Sequence, residues 1–495
     1  MRIRLLAPEA IVNGIGLKDY LELIMSVFQR QIIKGSISNF AGIGLGVLNN
    51  IWLFPLAFSL EQLGIYRWVE RTAALVGAIA LLGIQRTYVR YQSQFKEEQG
   101  RIFLSNIVVI GALLAAVLGV LLTLFATEFS ALLEVEGTEE IVVLGTVITG
   151  IMCFSLGQSI SASAKRISVP YFMKNVGVRL VLMVAAYLVS LEYVTFFQWM
   201  KVFALFQLIL GIGILAYSIR IKGLPLTRPR SLNKGMSREF YVYSAGSIGI
   251  VIMSTSLITI DSQMITFLLS YEALGVYSLG FFIGSFVDGF RRPVSQALSP
   301  EFANLWNDGN KEAIEKIYAR TSRVLMVVAV ASFIAIVPNL DFIFGLIPDP
   351  ERFEGAKSIV VLVLISRIID FSFGSNGEML SNGPYFKWLL YAITGLVLLM
   401  IVLNYQLIPM YGMDGAGYAL IISFIVFNVA KAWFLYRKEG IQPFSLVHLY
   451  ILAIALPTFF IAELFDGPGI LEFILRNASI ALGLVVGFVL LRKRI

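Results

Sequence analysis

The sequence predicts an all-α integral membrane protein of about fourteen transmembrane helices, arranged as two six-helix lobes in a parallel pseudo-two-fold repeat plus a C-terminal helix pair. Three observations predict it. Apolar residues make up 58% of the 495 positions and charged residues 14%, with a mean hydropathy of +0.81. A soluble domain carries roughly 25% charge and about 45–50% apolar residues, so a chain this poor in charge cannot clothe a water-facing surface. The apolar runs are about 20 residues long, the length of spanning helices rather than of barrel strands. Finally, the chain repeats itself: "EQLGIY" at 61–66 returns as "EALGVY" at 272–277, and "GSI" at 35–37 returns at 246–248, both 211 residues further on.

Residues 1–34 alternate apolar and charged positions (Arg2, Arg4, Lys18, Arg30, Lys34) and lack the apolar core and small-residue cleavage site of a signal peptide, so they read as a cytoplasmic N-terminal lead-in. Segments near 35–59, 68–91, 102–126, 141–163, 169–190 and 195–219 form the N-lobe, 35–219. A basic linker at 220–238 follows, holding Arg220, Lys222, Arg228, Arg230, Lys234 and Arg238. The C-lobe, 239–436, takes segments near 239–266, 273–296, 322–347, 356–380, 385–408 and 415–436. The terminal pair, near 446–465 and 470–491, lies in 437–495.

Basic loops mark the cytoplasmic side. The linker, the loop with Lys311, Lys316 and Arg320, "YRKEG" and the final "RKRI" all fall on one side. "TEFSALLEVEGTEE", with five glutamates and no base, falls on the other. Both termini are then cytoplasmic. The two hexapeptides fall in the outer loops after helices 1 and 7. Six spans separate the copies, so the halves point the same way, related by an axis along the membrane normal. Parallel repeats of this kind are built for transport, with the substrate between the halves.

Several functions are excluded by what is missing. One cysteine, Cys153, and one histidine, His448, leave no disulfide framework and no Cys/His metal or haem site. Cys153 reads as a packing residue and His448 as an interfacial one. Nothing matches a nucleotide-binding loop, so no such cofactor is expected and the drive is a gradient, the membrane potential or substrate supply. The outer loops are short, against a membrane glycan polymerase or ligase; the chain reads as no enzyme. The net charge of +7 is accounted for by positive-inside loops without nucleic acid.

Six plus six plus two helices with "LG-(I/V)-Y" after helices 1 and 7 resembles the polysaccharide-flippase (Wzx-type) branch of the multidrug/oligosaccharidyl-lipid/polysaccharide exporter superfamily. The most family-like stretch is "IDSQMITFLLSYEALGVYSLGFFIGSFVDGFRRPVSQALSPEFANLW", and "KGSISNFAGIGLGVLNN" is similar to the family's first helix. The resemblance implies flipping of undecaprenyl-diphosphate-linked oligosaccharide from the inner to the outer leaflet, by a monomer among membrane lipids. The alternative in the same superfamily is a cation-coupled multidrug exporter, which favours acidic cavities.

Intramembrane charges are costly and are candidates for substrate contact. Arg179 stands in helix 5 with no acid three or four residues away. Arg367 and Asp370 in helix 10 either neutralise each other at i, i+3 or leave Arg367 to the substrate. Arg86 and Arg90, with Arg291 and Arg292, end helices at the cytoplasmic face, where they either snorkel to lipid phosphates or gather an anionic head group. Arg67 and Arg71, at the outer start of helix 2, would meet a departing diphosphate. Asp261 stands 211 residues after Asn50, a carboxylate where the other lobe has an amide, which suggests titration or a coupling cation; hydrogen bonding between helices is the other reading. "GIGLG" at 42–46, Gly211 and Gly213 read as close-packing positions, and "FGSNGEMLSNG" as a polar helix end.

Overall fold

The computed structural model describes residues 41–92, 97–132, 137–164, 166–223, 259–465 and 470–491, with isolated positions elsewhere. The lead-in 1–34, both "GSI" copies, most of the linker, much of the predicted seventh helix and the final "RKRI" lie outside the described residues. Every described element is helical. We number the main helices α1 (41–57), α2 (Leu60–Ala80), α3 (Ile84–Tyr91), α4 (Glu97–Leu124), α5 (Thr138–Ser163), α6 (Ser168–Ser190), α7 (Phe196–Lys222), α8 (259–268), α9 (Tyr271–Asn307), α10 (Lys311–Gly345), α11 (Ala356–Ser372), α12 (Asn376–Ser381), α13 (Phe386–Tyr411), α14 (Met413–Glu439), α15 (Leu446–Glu463) and α16 (Ile470–Leu491). Among the described residues ten helices are long and apolar enough to cross a membrane, and α2 with α3 makes one more if counted as a single bent span. Large apolar side chains stand bare along them, Leu124, Leu482 and Phe488 among others. Apolar surface on this scale belongs in lipid. The protein is a multi-pass membrane protein.

The chain divides into two compact units: residues up to Phe58 with Trp68–Thr259, and Ser59–Arg67 with Ile260 onward. In the first unit α5 is the most enclosed helix. Glycines let it approach α7 backbone to backbone: a methyl on Gly157 would lie 2.7 Å from the Leu215 nitrogen, and Gly211 packs on Gly150. Ser161 and Ser218 then share a hydrogen bond of 2.7 Å across the pair. Small residues and buried hydroxyls replace the hydrophobic effect as helix glue where the surroundings are already apolar. Gly213 and Gly44 do not belong to this set, because an added methyl at either meets nothing within 4 Å.

In the second unit α15 and α16 pack on α10 through Met326, Val330, Ile334, Ile451 and Ile480. Arg476 ties the terminal pair down by donating to the Pro338 carbonyl (2.6 Å) and the Phe465 carbonyl (3.0 Å).

Three expectations about helix boundaries are corrected. The repeated hexapeptides are the first turns of α2 and α9, not outer loops. Ser59 accepts from the Gln62 amide (3.2 Å) and receives the Gln62 side chain on its own amide (3.1 Å), and Ser270 accepts from the Ala273 amide (3.1 Å). These N-caps satisfy orphan amides, and Glu61 and Glu272 in the first turns favour the positive helix end. Helix 2 is broken: Gly83 sits at φ +70° and α3 departs by 54°. The polar end of helix 10 breaks at Gly374 (φ +60°) and resumes as α12. His448 is buried in the first turn of α15, its Nε2 sharing a 2.7 Å hydrogen bond with Ser322.

The repeat has a structural meaning. Within the second unit, a Cβ on Gly64 would run into the Tyr271 carbonyl, and one on Gly275 into the Leu60 carbonyl. Gly64 and Gly275 are repeat partners, as are Leu60 and Tyr271, so the two copies clasp each other reciprocally. Gly64→Ala should force the backbones apart at a cost of about 1–3 kcal/mol, seen as lost thermal stability in detergent. Gly44→Ala, with open space around the new methyl, should leave stability unchanged.

Candidate functional site

The densest set of membrane-embedded charges lies in the second unit, where α9 meets α11. Gly280 and Gly284 bring the helices together: an added methyl would fall 2.8 Å from Ile359 Cβ and 2.7 Å from Val363 Cβ respectively. One turn further the same seam carries charge. Arg367 Nε lies 3.0 Å from Asp288 Oδ1, and Arg291 Nη1 pairs with Asp370 Oδ2, 79 residues separating each pair. The constant register shows two parallel helices in direct apposition, first through glycines and then through ion pairs. The i, i+3 pairing of Arg367 with Asp370 is therefore corrected: each residue pairs across to α9 instead.

The two pairs differ in quality. Asp370 is fully engaged, because its Oδ1 also accepts from Asn428 Nδ2 at 3.0 Å. From there a chain continues: Asn376 donates to Asn428 Oδ1 (3.2 Å), and Lys431 donates to Asn376 Oδ1 (2.8 Å). Lys431 is 2% exposed and sits 4.0 Å from the Phe427 ring centroid. Ser295 donates to Glu378 beside this chain.

Arg367 is not engaged in the same way. It is 8% exposed, yet its Nε–H is out of line with Asp288 and makes no hydrogen bond. Among the described residues no acceptor receives a hydrogen bond from its guanidinium, which lies between the rings of Phe281 (5.9 Å) and Phe424 (5.5 Å). Asp288, its counter-ion, keeps 31% of its side chain exposed. A buried guanidinium with unused donors, near two aromatic rings, has the chemistry to receive a planar or tetrahedral oxyanion.

Asp261 sits elsewhere in the same unit, 5% exposed, accepting from Tyr277 Oη (3.2 Å) and Asn404 Nδ2 (3.1 Å). Asn404 Oδ1 is buried beside it and makes no hydrogen bond among the described residues. No group of three or more His, Cys, Asp or Glu side chains suited to a metal occurs among the described residues.

In the first unit, α1 and α6 each contain a π-helical turn, Leu48–Leu53 and Met173–Gly177. Such turns cluster at functional sites. Asn49, 2% exposed, donates to the Arg179 carbonyl (3.0 Å), and its own Oδ1 is buried without a hydrogen bond among the described residues. The Arg179 guanidinium lies across Gly46, where an added methyl would fall 2.7 Å from Nη1. Asn50 turns back to the Gly46 carbonyl (2.6 Å).

The remaining candidates are peripheral. Arg86 and Arg90 lie on the short α3, with Arg90 exposed and 5.7 Å from the Tyr91 ring centroid. Arg292 is exposed beside the paired Arg291, and half-buried Arg67 lies 5.0 Å from the Tyr66 ring centroid; Arg71 is half-buried on α2. Sequence reasoning missed Lys431, Asn376, Asn428, Glu378 and Asn404. Lys431 was detectable as the single charge within "FIVFNVAKAWFLY", and Asn428 as a polar residue three positions before it.

Among solved structures the chain resembles "Lipid II flippase MurJ, inward closed conformation" with a TM-score of 0.74 at 16% identity, covering 93% of this chain and 99% of that one. It also resembles the inward-facing conformation of a multidrug resistance MATE family transporter of the MOP superfamily, with a TM-score of 0.59, 11% identity and 84% and 95% coverage. A third likeness is the MATE multidrug transporter DinF-BH, with a TM-score of 0.54, 13% identity and 85% and 97% coverage. No protein-family model matches the sequence, and no curated protein does. The fold is that of the MurJ and MATE transporters.

Proposed function

We propose that the protein is a transporter that flips polyprenyl-diphosphate-linked oligosaccharide from the inner to the outer leaflet of a bacterial inner membrane, for cell-surface polysaccharide synthesis. The observation that carries this reading is Arg367: a buried, aromatic-flanked guanidinium whose donors are unspent. An anionic cargo suits it, and a cationic drug does not. The fold agrees, since the structural likeness to a lipid II flippase is more complete than that to the multidrug transporters. The alternative, a cation-coupled multidrug exporter, draws on the MATE likenesses and on Asp261 with Asn404, where we place any coupling cation.

In this reading two six-helix halves and a terminal helix pair work by alternating access, with both termini cytoplasmic. Arg86, Arg90 and Arg292 gather the diphosphate at the cytoplasmic face, whereas Arg291, expected there too, is held by Asp370 instead; Arg179 and Arg367 hold the diphosphate midway, and Arg67 with Arg71 meet it on exit. Only the sugar and diphosphate need shelter, because the polyprenyl tail remains in lipid.

Deleting the gene and assaying lipid-linked glycan by leaflet tests the reading: accumulation in the inner leaflet is expected, and normal glycan export overturns it. The energetic part has its own test. A head group with two negative charges gains about 4–5 kcal/mol on moving outward across 100 mV, negative inside. Export should therefore slow when the potential is collapsed by an ionophore.

A further inference from the structure

We propose that Asp288 is a resident counter-ion that occupies the Arg367 site between transport events and is displaced by the anionic head group of the cargo. This rests on the substrate reading above and adds the competitor that the cargo must displace.

The internal repeat supplies the first argument. The residue 211 positions before Asp288 is Gly77, and the one before Arg291 is Ala80. At Gly77 the helix packs on Ile151 and Met152 of α5 with ordinary contacts of 3.6 Å. The same helix in the first half thus does without charge at these positions, so the fold does not require a carboxylate at 288. The second argument is the geometry of the pair. Asp288 lies at ion-pair distance from Arg367 Nε but out of line, so the carboxylate neutralises the guanidinium without consuming its donors. Its partner pair, Arg291 with Asp370, shows what a committed contact looks like on the same seam: hydrogen-bonded and braced by Asn428. The third is what happens to Asp288 once displaced. Its side chain is 31% exposed, and Arg291 and Arg292 follow on the same helix, so the freed carboxylate is neither buried nor stranded.

A tethered carboxylate competes at high effective concentration and lowers the apparent affinity of every incoming anion by the same factor, so the cargo must hold the guanidinium better than Asp288 does. A diphosphate does so through its higher charge and a bidentate grip. The counter-ion also spares the empty protein an uncompensated buried cation and gives the guanidinium somewhere to return to when cargo leaves.

The test uses the full-length protein purified into nanodiscs and titrated with inorganic pyrophosphate and with inorganic phosphate. Asp288→Asn should bind pyrophosphate and phosphate each at least about tenfold more tightly than wild type, with the ratio between them kept, because the tethered competitor is gone. The gain should vanish in Asp288→Asn with Arg367→Gln. Unchanged or weaker pyrophosphate binding by Asp288→Asn, or a gain that survives loss of Arg367, overturns the proposal. If neither Asp288→Asn nor Asp288→Ser folds, the carboxylate is a structural requirement and the counter-ion role is equally refuted. The underlying substrate reading fails separately: if Arg367→Gln exports glycan normally, Arg367 holds no cargo, whatever Asp288 does.

Discussion

Arg367→Gln should reduce glycan export by at least about 100-fold while leaving the protein inserted and folded. Hydrogen bonds to a charged partner are each worth about 1.5–3 kcal/mol, and a fork that meets two phosphate oxygens forfeits two of them. At about 1.4 kcal/mol per decade, that loss exceeds two orders of magnitude in binding. Stability should change little, because the partner left behind, Asp288, keeps 31% of its side chain exposed and no hydrogen bond to Arg367 is broken. Arg367→Lys should recover only part of the activity. It restores the charge but not the planar fork near the Phe281 and Phe424 rings. Export by the Gln variant at wild-type rate and expression would remove Arg367 from the substrate path. Arg179→Ala gives the matching test in the first unit, where lost export is likewise expected. Gly46 stays glycine in that experiment, because the Arg179 side chain lies across it.

Class and repeat were legible in the sequence for definite reasons. Charge-poor composition dictates lipid as solvent, and the 211-residue echo marks two copies of one unit. The details that escaped depend on contacts no local pattern encodes. "SLEQLGIY" and "SYEALGVY" read as loop because they fall between or at the edge of the apolar runs, whereas here the serines cap and the glycines admit a neighbouring backbone. Arg367 and Asp370 invited an i, i+3 pairing because spacing along one helix is visible in sequence. The winning partners, Asp288 and Arg291, stand 79 residues away on a helix brought close by Gly280 and Gly284. Lys431 is a lone charge with no acid at i, i+3 or i, i+4 before it, so no spacing along its helix singles it out. Its environment of Asn376, Asn428 and Phe427 emerges only when the helices are assembled.

Asp370→Asn should destabilise the second unit by about 3–5 kcal/mol, the usual cost of breaking a buried ion pair by removing one partner. The change is isosteric, so packing survives and the effect isolates charge. Asp370 is the acceptor at the centre of the chain from Arg291 through Asn428 and Asn376 to Lys431. With it neutralised, Arg291 and Lys431 remain as enclosed cations facing one amide, and Asn428 Nδ2 meets a group that need not accept from it. For a unit made of Ser59–Arg67 and Ile260–Ile495 this corresponds to a melting midpoint lower by about 6–20 °C in detergent. The contrast with Asp288 is the informative part. Asp288→Asn, on the same seam and one turn away, should lower the midpoint less than Asp370→Asn does, because its pair with Arg367 holds no hydrogen bond and its side chain is 31% exposed. Exchanging the charges, Arg291→Asp with Asp370→Arg, should recover much of the lost stability, since the two positions are in register between α9 and α11. An Asp370→Asn protein as stable as wild type would show that the pair is incidental, and would leave Arg291 available to substrate after all.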